Sequence, residues 1–430
     1  MPLGFDGLEC ETAKPFALVL GGSSVHIPLV EKLQHRGYYV GLIDYLDNPP
    51  AKKYADCHFQ VSTFDKQAIK EIAIEHKVQL IINCCLEYLN QIICEIAEEL
   101  SLPVPYSSAT AKSVSDKLLM KTIMREHGIP TSSFVCISSL EELDEANLHY
   151  PLFVKPVDGS GSTGVSCARD RHDVAACLEN ALAFSRSGQA IVEEESRGTE
   201  HNVYCYVLDG VTKVLLVSEK YCEASDGFEN IKCIGTFAPA RITEQAAKTI
   251  ELVVQEISDA FSLRTTPLFA QVMIDGNDVS VIEFACRVPG GYGNRSLESK
   301  LSFDYYDYTI SSFLGETPAI DLHDGGEISI VHSLYAKPCI LASIEGYEEL
   351  IQNGTILDVN IARVPGDVVS DESCNREKVG HFVVAASTVE DANRKMDAFF
   401  DSVRVVSAEG VNVLRTDLRL DLKEDSAPSV

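Results

Sequence analysis

Apolar and polar positions alternate in short blocks through the first hundred residues. Phe16-Ala17-Leu18-Val19-Leu20 runs into Gly21-Gly22-Ser23-Ser24, a helix follows over residues 28–36, and Tyr39-Val40-Gly41-Leu42-Ile43-Asp44 repeats the apolar run. Strand, loop, helix and strand in that order predict a right-handed parallel unit whose glycines lie at the carboxyl edge of the sheet, where ligand crevices form. Residues 57–61 and 80–84 add strands, and residues 65–76 and 89–100 add helices, so an open α/β domain is expected to end near Tyr106. No third spaced glycine follows Gly21-Gly22, which counts against a dinucleotide site with Asp44 as its acceptor.

Farther on, the pattern changes. Ser115-Asp116-Lys117 opens a helix that runs to His127, with Gly128 and Pro130 as stop signals and Lys117 and Lys121 on one face. A short helix over 140–148 precedes strands at 152–157 and 191–194, which enclose a helix over 170–185. Two alternating apolar runs flank Asp275-Gly276-Asn277-Asp278 and predict a β-hairpin, with Gln271 and Glu283 toward the ends away from the turn. Beyond about Gly315, strands at 328–334, 356–362, 381–386 and 403–406 and a helix over 389–402 predict a closing α+β region. No long internal repeat is visible, and the polar tail from Lys423 is expected to be disordered.

The richest chemistry lies in Tyr150-Pro151-Leu152-Phe153-Val154-Lys155-Pro156-Val157-Asp158-Gly159-Ser160-Gly161-Ser162-Thr163-Gly164. An apolar strand delivers Lys155, and the loop after it, including Ser160, Gly161 and Ser162, offers backbone N–H groups and hydroxyls to phosphate oxygens. The spacing is not a Walker pattern, since no Gly-Lys-Ser/Thr follows. Gln271 and Glu283 supply an amide carbonyl and a carboxylate, a sufficient protein share for magnesium beside a nucleotide. Arg287 can fork onto a carboxylate or a transferring phosphoryl group, and the amides of Gly290 and Gly291 can donate to a developing oxyanion.

The succession of strand, Lys155-Pro156, glycine-rich loop and Glu193-Glu194-Glu195-Ser196-Arg197-Gly198-Thr199-Glu200 resembles the ATP-grasp superfamily of carboxylate-amine ligases. The resemblance implies an α/β ATP-grasp fold in three parts: an N-terminal domain over 1–110, an ATP-grasp domain over 111–315 with a small mobile lid at about 150–200, and a C-terminal α+β domain over 316–430. It implies that Glu193 holds the adenine amino group, that Glu200 holds the ribose hydroxyls, and that Glu195, Lys117 and Lys155 contribute to the ATP site. Gln271 and Glu283 would bind Mg²⁺, with Mn²⁺ an alternative, although Ala285 stands where an asparagine ligand is usual. Arg287 would bind the carboxylate substrate and then its acyl phosphate, and Glu87 would contact substrate from the leading domain.

Pro365-Gly366-Asp367 and Lys378-Val379-Gly380-His381-Phe382-Val383-Val384-Ala385 resemble the closing domain of bacterial L-amino acid ligases, the dipeptide-forming branch of the superfamily. In that branch a Glu and a His often contact the amino-acid substrates at the positions that read Cys233 and Thr236 here. The departure favours an acid donor without a free ammonium, as in dapdiamide-type amide ligases, unless the acidic loop at 223–229 substitutes. The implied reaction is amide formation from a small-molecule carboxylate and amine, with release of ADP and phosphate. Two alternatives stand beside it: a carboxylase that activates bicarbonate, and an ATP-binding regulatory protein that has lost catalysis.

Composition fits a large enzyme. The chain has 430 residues, 45% hydrophobic and 23% charged, enough for two to four folded units. A formal charge of -28 argues against nucleic-acid backbones, so an anionic nucleotide needs a local basic pocket of Lys117, Lys155 and Arg287. The 14 cysteines are scattered without a Cys-x-x-Cys pair, which suits a reducing cytoplasm. No targeting segment and no run of eighteen apolar residues is apparent, so neither export nor a membrane partner is expected, and self-association as a homodimer is allowed for.

Overall fold

Five consecutive apolar residues, β1 (Phe16–Leu20), are all buried and sit inside a parallel sheet. With β2 (Tyr39–Ile43), β3 (Cys57–Phe59) and β4 (Leu80–Ile82) the strand order is β3-β2-β1-β4. Burial on both faces explains why such strands read as unbroken apolar runs. The helices Ile27–His35, Lys66–Glu75 and Glu87–Leu100 bury Leu29, Leu33, Ile69 and Ile93. Gly21 takes a φ of +102°, and a Cβ there would fall 2.5 Å from the His26 ring. The Asp44 carboxylate accepts the N–H of Gly22 at 2.8 Å and that of Leu46 at 2.9 Å. Asp44 is thus spent on its own loop, which removes the acceptor a dinucleotide reading would need.

The computed structural model describes residues 14–145, 147–159, 164–223, 232–290, 292–371 and 374–423. They form two compact units, Met1–Ala111 with Tyr306–Glu316, and Lys112–Tyr305 with Thr317–Val430. In the first, Arg36 ties the distant segment to the sheet domain: its guanidinium donates to Asp307 at 2.8 Å, Ser311 at 2.8 Å and Glu316 at 2.9 Å.

The second unit holds a small antiparallel sheet in the order β5-β8-β6-β7, made of β5 (Phe134–Ile137), β6 (Leu152–Pro156), β7 (Ser166–Ala168) and β8 (Ala190–Glu194). The helix Arg171–Phe184 begins where Asp170 accepts the N–H groups of His172 and Asp173, a regular N-cap. It packs Val174, Leu178 and Ala181 against Leu152, Val154 and Val192. The lid strands expected at 152–157 and 191–194 are present, and β5 and β7 extend them.

A larger antiparallel sheet follows the order β13-β12-β9-β10-β11-β14-β18-β16. Its members are β9 (Thr199–Leu208), β10 (Val211–Glu223), β11 (Lys232–Ala238), β12 (Thr266–Asp275), β13 (Asp278–Ala285), β14 (Ile328–Tyr335), β16 (Asp358–Ile361) and β18 (Lys378–Ala386). β15 (Cys339–Glu345), β17 (Val368–Val369) and β19 (Arg404–Ser407) make a third small sheet. Since β11 pairs with β14 from Gly235↔His332 to Ala238↔Ser329, hydrogen bonding runs straight across the boundary expected at residue 315. Gly198, φ +98°, stands against β12: a Cβ there would lie 2.1 Å from the Ile274 carbonyl oxygen, a clash no other residue escapes.

The core beside β14 and β18 includes an imidazole. His332 is fully buried and stacks on Phe382 at 5.0 Å. The backbone N–H of Leu420 donates to its Nε2 at 3.0 Å, so Nδ1 carries the proton and donates to the Ser333 carbonyl at 2.8 Å. Burial holds the ring at about 4, and it stays neutral at pH 7.

Candidate active site

Alternation along β6 separates two jobs. Leu152 and Val154 join the apolar cluster, while Phe153 and Lys155 face a cavity of about 410 Å³, a size that suits a nucleotide-scale ligand. β8 sends Val192 to the same apolar cluster and Glu193 to the cavity.

Glu193 is buried with its charge fully answered. Lys155 Nζ lies 3.1 Å from one oxygen, and Lys121 Nζ lies 2.9 Å from the other, which also accepts the Ser132 hydroxyl at 2.9 Å. Burial opposes ionisation, yet Lys155 and Lys121 outweigh it and draw the carboxyl down to about 2. Burial likewise opposes the charge on Lys155, and Glu193 with Glu283 more than restores it. Lys121 also donates to Thr131 at 2.8 Å and Ser132 at 3.0 Å.

Lys117 is the first residue of the helix Lys117–Glu126, which Asp116 caps by accepting the Leu119 N–H at 3.0 Å. A cation at a helix N-terminus is electrostatically misplaced, and it persists here beside acceptors: the Gly159 carbonyl at 2.7 Å and Glu283 at 3.4 Å. Lys117 is the main influence that holds the Glu283 carboxyl below its ordinary range, against burial and with help from Lys155 and Arg287.

β12 and β13 pair as the hairpin expected, with Gly276 at φ +61° in the turn. Gln271 is opposite Glu283, and the register shifts at once to Val272↔Val281. Ile282 is the extra residue of this bulge, a device that re-aims neighbouring side chains. Gln271 donates its amide N–H to Glu200 at 3.0 Å, which leaves its carbonyl oxygen available as an electron-pair donor. Glu200 also pairs with Lys220 at 2.5 Å, and Lys220 is raised because Glu200 outweighs its burial.

The donor set fits one hard divalent cation. Glu283 offers an ionised carboxylate and Gln271 an amide oxygen, both oxygen ligands of the kind magnesium prefers. Ala285, buried opposite Phe269, contributes no donor at the position where an asparagine ligand is usual.

Of the residues singled out in the sequence, Lys117, Lys155, Glu193, Glu195 and Glu200 line this cavity, as do Gln271, Glu283 and Cys233. Arg287 does not; its guanidinium donates to the Val288 carbonyl at 3.0 Å while its charge reaches Glu283. Gly290 is exposed with open space around it. Thr236 is buried on β11 opposite Lys220, away from the cavity lining. Glu87 begins the helix Glu87–Leu100 in the other unit. Ser160, Gly161, Ser162 and Gly291 lie outside the described residues, as do most of the acidic loop at 223–229 and the tail after Lys423.

Sequence reasoning missed Lys220, Cys222, Tyr335 and Lys378, all of which line the cavity. The resemblance leaves the role of Lys121 open, and the structure gives it one end of the Glu193 network. Among the described residues no helix is long and apolar enough to cross a membrane.

Comparison with known proteins adds independent findings. Residues 115–290 match the family described as phosphoribosylglycinamide synthetase, ATP-grasp (A) domain, and residues 332–408 match L-amino acid ligase C-terminal domain 2. The chain is 23% identical over 403 residues to a formate-dependent phosphoribosylglycinamide formyltransferase of Corynebacterium efficiens, covering 91% of this chain and 96% of that one. It is 24% identical over 273 residues to an L-arginine-specific L-amino acid ligase of Bacillus subtilis, covering 61% and 65%. Its fold resembles the crystal structure of L-amino acid ligase from Bacillus licheniformis, with a TM-score of 0.77 at 18% identity over 92% of this chain and 100% of that one. It also resembles the biotin carboxylase domain of the Hydrogenobacter thermophilus 2-oxoglutarate carboxylase, solved with MgADP and bicarbonate, with a TM-score of 0.74 at 14% identity over 94% and 92%.

Proposed function

The chain belongs to the ATP-grasp superfamily of ADP-forming ligases and closes with an L-amino acid ligase C-terminal domain, and from that premise we propose that it joins a carboxylate to an amine through an acyl phosphate. The observation that carries the reading is the convergence of Lys117, Lys155 and Lys220 with Glu283 and Gln271 in one cavity. An acidic chain has gathered cations and oxygen ligands at a single place, which suits a polyphosphate and its metal.

In this mechanism Glu193 and the 194–196 segment receive the base, and Lys220 steadies Glu200 so that its second oxygen accepts a ribose hydroxyl. Lys117 and Lys155 offset phosphate charge as the substrate carboxylate attacks the γ-phosphorus and the bond to ADP breaks. Glu283 and Gln271 would hold Mg²⁺, which would supply hard positive charge beside the phosphates. Arg287 orients the acid and then its acyl phosphate. The amine nitrogen attacks the acyl carbon, phosphate leaves, and the amine gives up its proton. Alignment of acid, amine and nucleotide supplies much of the rate.

We assign the amine as an amino acid and the acid as amino-acid-like or N-acylated, because Cys233 and Thr236 stand where a carboxylate and an imidazole would otherwise meet a free ammonium. Phosphate release measured over pairwise mixtures of amino acids, N-acyl amino acids and small acids tests this, with mass spectrometry of each hit. ADP with phosphate and an amide product is expected. AMP with pyrophosphate, or turnover of free amino-acid donors but none of their N-acyl forms, would sink the respective claim. A second reading, activation of bicarbonate, draws support from the fold shared with a carboxylase domain, and phosphate release that needs bicarbonate and no amine would favour it.

A further inference from the structure

Two thiols meet on the wall of the cavity. Cys222, near the end of β10, is directly opposite Cys233, near the start of β11, at a shift in the ladder. Both line the cavity, each influences the proton affinity of the other, and Cys233 Sγ lies 3.9 Å from the Gly235 carbonyl oxygen. Partners on antiparallel strands hold their Cα atoms about 4.5–5.5 Å apart, inside the roughly 4.4–6.8 Å span of disulfides. Cys222 is exposed, and Cys233 is half-buried. The ligase chemistry above uses neither sulfur as a nucleophile.

The surroundings give the two thiols different parts. Hydrogen bonding from Cys222, together with the ammonium groups of Lys220 and Lys378, outweighs burial and draws Cys233 down to about 6. Cys222 keeps its proton, because the neighbouring Cys233 sulfur and burial both push its thiol up. A thiolate with a neighbouring thiol is the arrangement of an attacking and a resolving cysteine.

We propose that Cys222 and Cys233 form a peroxide-responsive dithiol whose closure to a disulfide weakens nucleotide binding. The Cys233 sulfur attacks one oxygen of hydrogen peroxide, the O–O bond breaks, and the departing hydroxide takes a proton to leave as water. The Cys222 sulfur then attacks the resulting sulfenic acid, the S–O bond breaks, and its thiol proton leaves with the hydroxide as a second water. Two thiols are oxidised and one peroxide is reduced. Cys222 Sγ lies 3.9 Å from Glu200, so closure draws a neighbour away from the carboxylate that Lys220 and Gln271 hold. The disulfide stands on geometry alone; its effect on nucleotide rests on the reading of the cavity given above.

The test treats the full chain with hydrogen peroxide, maps disulfides without reduction, and titrates a fluorescent ATP analogue before and after. A Cys222–Cys233 linkage should appear before other cysteines react, with affinity down by about tenfold or more and restored by dithiothreitol. Cys222→Ser should stop at a Cys233 sulfenic acid that dimedone captures. Cys233→Ser should keep its own untreated affinity under peroxide. Oxidation of other cysteines first, or equal peroxide sensitivity in Cys233→Ser, overturns the proposal. A linkage without loss of affinity overturns its regulatory half. If the reduced parent binds no nucleotide, the cavity reading fails instead, and the disulfide map still decides the thiol chemistry.

Discussion

Around Glu193, burial is tolerated because charge meets charge; around His332, it is tolerated because charge is absent. Lys155 and Lys121 clasp the Glu193 carboxylate from both sides, whereas His332 spends one ring nitrogen as donor, the other as acceptor, and packs on Phe382. A buried ion network is often no better for stability than apolar packing of the same shape. Its presence beside the cavity points to work on an arriving anion. The His332 arrangement does the opposite: a second proton would set Nε2–H against the Leu420 N–H, so the site is built to refuse charge.

The contrast breaks first at Lys155. Lys155→Ala should cut nucleotide affinity by about a thousandfold, roughly 4 kcal/mol, and isothermal titration with ADP would reveal it. Glu193→Gln comes next, because it leaves two buried ammonium groups facing a neutral amide. Removal of one partner of such a network costs about 3–5 kcal/mol, and urea unfolding at pH 7 should register most of it. An unchanged midpoint would mean that the network contributes nothing.

Acid should separate the two regions by pH window. His332 is held at about 4, below its ordinary 6.5, so the unfolded chain takes up the proton first. Stability is full above pH 6.5 and falls as pH drops toward 4, by roughly 3 kcal/mol in all; His26 and His381 act in the same direction. Glu193, drawn from 4.5 to about 2, contributes stability that is whole above pH 4.5 and disappears between there and pH 2. A urea series that stays flat from pH 6.5 to 4.5 would contradict the first half. The smallest effect expected is at Arg287, outside both networks. Arg287→Ala should lower kcat about a hundredfold while ATP affinity changes little, and equal losses in both would place it at the nucleotide instead.

Local signals carried far in the sequence. The parallel strands announced themselves because each is buried on both faces, and Gly276 marked the hairpin that holds Gln271 against Glu283. What stayed hidden depends on long-range pairing. Lys220 reaches Glu200 because β10 lies beside β9, and nothing within the 211–223 segment names that neighbour. Lys378 arrives from a segment assigned to a separate closing domain, since the sheet continues through β14 to β18 without a break. Helical spacing rightly grouped Lys117 with Lys121 but not their partners: one meets Glu283, the other Glu193.

Gly198 has a consequence for anyone who would rebuild this protein. Because its backbone touches the Ile274 carbonyl so closely, the strand that bears Glu200 and the hairpin that bears Gln271 cannot be spaced independently. A graft of either segment from a relative with another residue at that contact would move both cavity walls together, so they are best exchanged as a single cassette.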